Sequence, residues 1–71
     1  MSEHLVTVNG DQLALPEGST IADVVRRLTE GMEGRGIAVA VDRCVIPRSE
    51  WSSTPTRAGS RIEVVTAAAG G

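Results

Sequence analysis

Read as apolar and polar positions, the chain changes period several times. Val6 and Val8 alternate with Thr7, Leu13 and Leu15 alternate with Ala14, and Asn9-Gly10 stands between the two runs. Period-two alternation marks a half-buried strand, and Asn-Gly between two such runs marks a hairpin, because both residues tolerate positive φ. Asp11 leaves the turn type open, and Pro16 and Gly18 end the second strand. From Ser19 the period becomes helical. Ile21, Val24, Val25 and Leu28 in STIADVVRRLTE fall at i, i+3, i+4 and i+7, with Arg26, Arg27 and Glu30 mostly on the other side. Ser19 or Thr20 can cap this helix, Thr20 and Asp23 have capping-box spacing, and Gly31 is the expected C-terminal cap.

The second half reads as strands again. In IAVAVD, Ile37, Val39 and Val41 share one face and Ala38 and Ala40 the other, which predicts a central strand with small residues where a helix comes close. CVIP predicts a short, half-buried strand ended by Pro47, and RSEWSSTPTRAGS a polar loop with at most one helical turn near Ser49. RIEVVT predicts the last strand, with Ile62 and Val64 facing one way and Arg61, Glu63 and Val65 the other. A hairpin, one crossover helix and later strands predict an α+β, β-grasp (ubiquitin-like) fold: a mixed sheet of four to five strands with one main helix packed on one face. The crossover is right-handed if the strands it joins are parallel. The opposite sheet face is left to solvent or to partners.

Composition narrows the function. A chain of 71 residues buries only roughly 60% of its unfolded surface, too little for a core and a deep active-site cavity together. All seven basic residues are arginine against nine acidic ones, net charge is −2, and Trp51 is the sole aromatic. A nucleic-acid binder normally shows a basic patch and stacking aromatics, so that class is not expected. MSEHLVTVNGDQL does not resemble a signal peptide and no stretch approaches a membrane span, which predicts a soluble, cytoplasmic protein. One cysteine and one histidine cannot build a metal site. Cys44 is expected to be a packed, inert thiol and His4 a surface histidine, not a dyad. EGMEGRG lacks the context of a phosphate loop and reads as a helix end plus turn. Asp23, Glu30, Glu33 and Glu50 read as ordinary solvated charge, and Trp51 as a lid folded onto the core.

What remains is the end, TAAAGG. Ala67, Ala68 and Ala69 carry only methyl groups, and Gly70 and Gly71 carry none. Five extended residues reach roughly 17 Å, long and thin enough to enter a narrow cleft. The expected organisation is a β-grasp domain over 1–66 and a flexible tail over 67–71. A terminal carboxylate is ionised and unreactive at neutral pH until another enzyme activates it.

The pattern resembles the ThiS family of ubiquitin-like sulfur carriers of thiamine biosynthesis over essentially the whole chain. The residues that carry the resemblance are VNG at 8–10, TIADVV at 20–25, GIAVAVD at 36–42, VIPRSEW at 45–51, RIEVVTA at 61–67 and the final GG. It implies a protein co-substrate, not an enzyme. A ThiF-type enzyme adenylates Gly71 with ATP, and sulfur from a donor such as a cysteine desulfurase system replaces AMP to leave a thiocarboxylate. ThiG, the thiazole synthase, then takes the sulfur into the thiazole ring. On that reading Gly71 bears the sulfur, and Gly70 with Ala67, Ala68 and Ala69 forms the thread that partners bind. From their outward positions on the last strand, Arg61, Glu63 and Val65 are expected to form part of a partner face, the alternative being an ordinary solvated strand face. ATP belongs to the partner, and no cofactor or metal is held permanently. The chain departs from common relatives at Asp42-Arg43, where Asn or Gly turns are usual, and at Gly59-Ser60, where Gly-Asp is frequent. The rival readings are the MoaD-like small subunit of molybdopterin synthase, which usually leads to its terminus through aromatic and proline residues, and a ubiquitin-like protein modifier joined to lysines of targets.

Overall fold

The computed structural model describes residues 2–29 and 36–66. The hairpin forms as its alternation requires: β1 (Glu3–Val8) pairs antiparallel with β2 (Asp11–Pro16), Val8 opposite Asp11. That register leaves a two-residue loop, and Asn9 and Gly10 take φ of 50° and 89°. Positive φ at both positions is the type I′ geometry that follows the twist of the strands. The helix α1 (Ile21–Leu28) starts at Thr20, whose hydroxyl accepts from the Asp23 N–H, while the Asp23 carboxylate accepts from the Thr20 N–H at 2.8 Å. Three further strands follow: β3 (Ile37–Val41), the two-residue β4 (Cys44–Val45) and β5 (Arg61–Thr66). A 3₁₀ helix over Arg48–Ser53 occupies the polar loop before β5.

The strand order is β2-β1-β5-β3-β4. β5 is therefore central, parallel to β1 on one side and antiparallel to β3 on the other. β3 pairs on both sides, with β5 and β4, an inner strand as its alternation predicts, and its Ala38 and Ala40 face away from the helix. β2 and β3 run in the same direction, joined through α1, as the crossover reading requires.

The core lies between α1 and one sheet face. Val6, Val8, Leu15, Val39, Ile62 and Val64 from the sheet meet Ile21, Val24 and Val25 from the helix, and Trp51 closes the end. Trp51 is buried as a lid, its indole N–H donating to the Ile46 carbonyl at 2.9 Å. The loop it belongs to is sewn to the start of α1. The Ile21 N–H donates to the Thr54 carbonyl at 2.9 Å, and the Thr56 N–H donates to the Ser19 carbonyl at 2.8 Å.

Three expectations are corrected. Leu28, the last member of the helical stripe, is half exposed, because α1 stops there and Thr29 caps it, its N–H returning to the Val25 carbonyl. Gly31, the expected cap, lies outside the described residues. His4 is buried, because it is an inward position of β1, with Val6 and Val8. Its Nε2 lies 2.8 Å from the Thr56 hydroxyl, which donates its own proton to the Ser19 carbonyl. Nδ1 lies 3.3 Å from a Glu17 carboxylate oxygen but is not aligned for a hydrogen bond. Cys44 is exposed rather than packed, because β4 is a two-residue strand at the edge of the sheet, with no described strand beyond it.

Two local features yield predictions. The Thr20 N–H, against the opposing effect of burial and with help from the Thr20 hydroxyl and Arg26, holds the Asp23 carboxyl below its ordinary value of 3.8. Thr20→Ala should cost about 1 kcal/mol. Because the folded carboxyl is the stronger acid, Asp23 stabilises the fold above its ordinary range, and this is lost as pH falls through the folded value. In urea titrations the gap between wild type and Asp23→Ala should hold from pH 7 to about 5 and close below about 3.8. The second feature is the β3–β4 turn, where Asp42 and Arg43 take φ of 49° and 73°. Asp42 is kept there by a bond from the Arg61 N–H to its carboxylate at 2.9 Å. Among the described residues no hydrogen bond of this kind accompanies the left-handed backbone at Arg43. Arg43→Gly should raise stability by about 0.5–1 kcal/mol, read as a thermal midpoint several degrees higher.

Candidate functional site

β5 runs through the centre of the sheet and delivers the chain to residue 67. Its alternation divides it cleanly: Ile62 and Val64 are buried against the helix side, while Arg61, Glu63 and Val65 are exposed on the outer face. Cross-strand partners point to the same side of a sheet, so the register identifies their neighbours. Thr7 stands opposite Arg61, Ala40 opposite Glu63, and Ala38 opposite Val65. Val45 stands opposite Ala40 on the next strand.

The outer face therefore carries two charged residues, Arg61 and Glu63, in the first half of β5 and an apolar strip beside them. The strip runs Val65, Ala38, Ala40, Val45, and its two valines are 62% and 74% exposed. It begins at the end of β5 that leads into residue 67. The structure thus brings Arg61, Glu63 and Val65 together on one surface. Sequence reasoning missed Ala38, Ala40 and Val45 as part of it. The two-residue turn at Asp42-Arg43 was the available signal, since it places Val45 opposite Ala40. The other expected site residues, Ala67, Ala68, Ala69, Gly70 and Gly71, lie outside the described residues.

Other constellations are excluded by placement. His4 is in β1 and Cys44 in β4, with β5 and β3 between them. Three strand spacings amount to about 14 Å, so the two cannot form a dyad. Among the described residues no three His, Cys, Asp or Glu side chains gather to hold a metal, and no helix is long and apolar enough to cross a membrane. Asp23 is committed to the helix cap. The open groove beside it, lined by Leu15, Pro16, Ser19, Asp23 and Arg27, holds no arrangement of acid, base and nucleophile.

The ThiS family profile matches residues 3–71 of the chain. The chain belongs to the ThiS family. It is therefore a ubiquitin-like sulfur carrier of thiamine biosynthesis, a carrier that works with sulfur-transfer partners and not itself a catalyst. The fold agrees. The crystal structure of a thiamine biosynthesis protein (ThiS) from Geobacter metallireducens superposes with a TM-score of 0.70 at 20% identity, covering 94% of this chain and 99% of that one. No curated protein sequence matches the chain.

Proposed function

We propose that the Gly71 carboxyl group is the sulfur-bearing atom set of this carrier. A ThiF-type enzyme joins it to the AMP moiety of ATP, releasing pyrophosphate and turning an unreactive carboxylate into an electrophile. The terminal sulfur of a cysteine-derived persulfide attacks the acyl carbon and AMP leaves. A thiol reductant cleaves the acyl disulfide and frees the thiocarboxylate, which ThiG consumes in building the thiazole ring. ATP is bound by the partner. The carrier supplies the carboxyl group, the thread formed by Ala67, Ala68, Ala69 and Gly70, and a docking face that includes Arg61, Glu63 and Val65.

The observation that supports this reading is the position of β5. The strand that leads to Gly70-Gly71 is the middle strand of the sheet, and the exposed apolar strip starts where it ends. A partner can hold a rigid face while the side-chain-poor segment enters its active site.

The test is intact-mass analysis after incubation with ATP, a ThiF-type enzyme, a cysteine desulfurase and cysteine. An oxygen-to-sulfur mass increase confined to the C-terminal peptide is the expected result, and its absence refutes the reading. Adding ThiG and its substrates should return the mass to its starting value. Transfer to the large subunit of molybdopterin synthase instead would assign the carrier to the other pathway. Glu63→Arg reverses the charge on the proposed face without touching the core. It should lower kcat/KM for adenylation about tenfold, mostly through KM, and an unchanged value would remove that face from the interface.

A further inference from the structure

The seam between β1 and β5 extends further than the backbone of β1 can take it. Its backbone rungs run from the Thr7 N–H to the Ser60 carbonyl and from the Asn9 N–H to the Ile62 carbonyl, both at 2.9 Å. The next rung would need residue 11, but the chain has reversed at Asn9-Gly10 and Asp11 already belongs to β2. The Asn9 side chain fills the gap. Its Oδ1 accepts from the Val64 N–H at 2.9 Å, and its Nδ2 donates to the Val64 carbonyl at 3.1 Å. A carboxamide has the donor and acceptor of a peptide unit, so Asn9 acts as one more strand residue across 55 positions of sequence.

We infer that Asn9 is a positioning residue for sulfur loading: its carboxamide clamps Val64 and so fixes the direction in which β5 delivers the chain to residue 67. This rests on the reading that Gly71 is the loaded residue. The clamp secures the β1 side of β5 within two residues of its end, while β3 secures the other side as far as Thr66. A partner that docks on the sheet face must find Gly71 at a fixed place relative to that face. Together the clamp and β3 fix where and in which direction the chain leaves the sheet after Thr66.

Few residues can do this. Position 9 needs a positive φ, which asparagine, aspartate and glycine tolerate. Aspartate would set a carboxylate oxygen against the Val64 carbonyl, and glycine would leave both Val64 groups without their partner. Asparagine alone of the three meets the turn and the clamp together.

Asn9→Gly isolates the clamp, because Gly-Gly still suits a type I′ turn. In the full chain, Val64 amide exchange should accelerate at least tenfold while exchange at Val6 and Ile62 follows only the change in global stability. In steady-state loading with the ThiF-type enzyme, kcat should fall on the order of tenfold, by misplacement of the reacting carboxyl, with KM for the carrier unchanged because the docking face is intact. Thr20→Ala, which weakens the fold at a distant helix cap, should load at the wild-type kcat. Asn9→Asp should fall between wild type and Asn9→Gly. If Asn9→Gly loads with the wild-type kcat, or Thr20→Ala loses kcat equally, the positioning role is overturned and the carrier reading stands. If wild type itself is not loaded, the carrier reading fails and this inference fails with it.

Discussion

A chain that lacks Gly71, or that carries one residue after it, is expected to lose sulfur loading completely while its thermal midpoint stays that of wild type. The two halves of this expectation have separate causes. Residue 71 follows β5 by five positions, and the core residues Val6, Val39, Ile21, Ile62 and Val64 all lie before it, so folding has little stake in the last residue. The chemistry has a large one. Adding or removing a residue moves the carboxyl group by about 3.5 Å along an extended chain, and a misplacement of about 1 Å is enough to lower a rate a hundredfold. Gly71→Ala keeps the length and adds one methyl group. It should load far more slowly than wild type, because a cleft shaped for glycine has no room for a Cβ. Intact mass after a single turnover, beside calorimetry of the same samples, reads both halves. An extended chain that acquired sulfur at the wild-type rate would place the chemistry elsewhere in the molecule.

What was legible in the sequence was local. Asn9-Gly10 between alternating runs gave the hairpin, and Thr20 with Asp23 gave the helix start, because turn and cap preferences act within four residues. The alternation in RIEVVT placed Arg61, Glu63 and Val65 on the outer face correctly, since a strand's period is two whatever its neighbours are. The illegible parts were contacts between distant residues. Nothing near His4 announces that its Nε2 will meet the Thr56 hydroxyl, and nothing near Asn9 announces Val64. Cys44 was misjudged because a two-residue strand at a sheet edge has the same local pattern as one with a neighbour on both sides. The strand order explains the difference, and the order depends on β5 inserting between β1 and β3, which residues 37–47 do not encode. The outer apolar strip was half legible for the same reason: Val65 could be assigned from its own strand, but Ala38, Ala40 and Val45 join it only once the register is known.

Trp51→Ala is expected to remove most of the stability of the domain. Domains are stable by about 0.05–0.15 kcal/mol per residue, or roughly 4–11 kcal/mol for a chain of this length, and truncating a buried tryptophan to alanine costs about 3–5 kcal/mol. The cost should lie at the upper end here. Trp51 is 6% exposed and the only aromatic side chain, so no large neighbour can collapse into the cavity. Its indole N–H is also the partner of the Ile46 carbonyl, and the 3₁₀ helix that carries it is bonded through Thr54 and Thr56 to the start of α1. Losing the ring therefore loosens the lid and the helix entry together. Trp51→Phe separates the two contributions. It keeps most of the apolar volume and loses the hydrogen bond, which should cost about 1–3 kcal/mol and leave a cooperative fold with a lower midpoint. Urea unfolding followed by circular dichroism measures both variants, since the fluorescent probe is the residue removed. Loading then tests the division between fold and chemistry. At 25 °C Trp51→Phe should be loaded at the wild-type rate, and Trp51→Ala only in proportion to its folded fraction, because Trp51 acts on the scaffold and not on the carboxyl group. A Trp51→Phe chain that folded fully yet failed to load would instead make Trp51 part of the surface a partner reads.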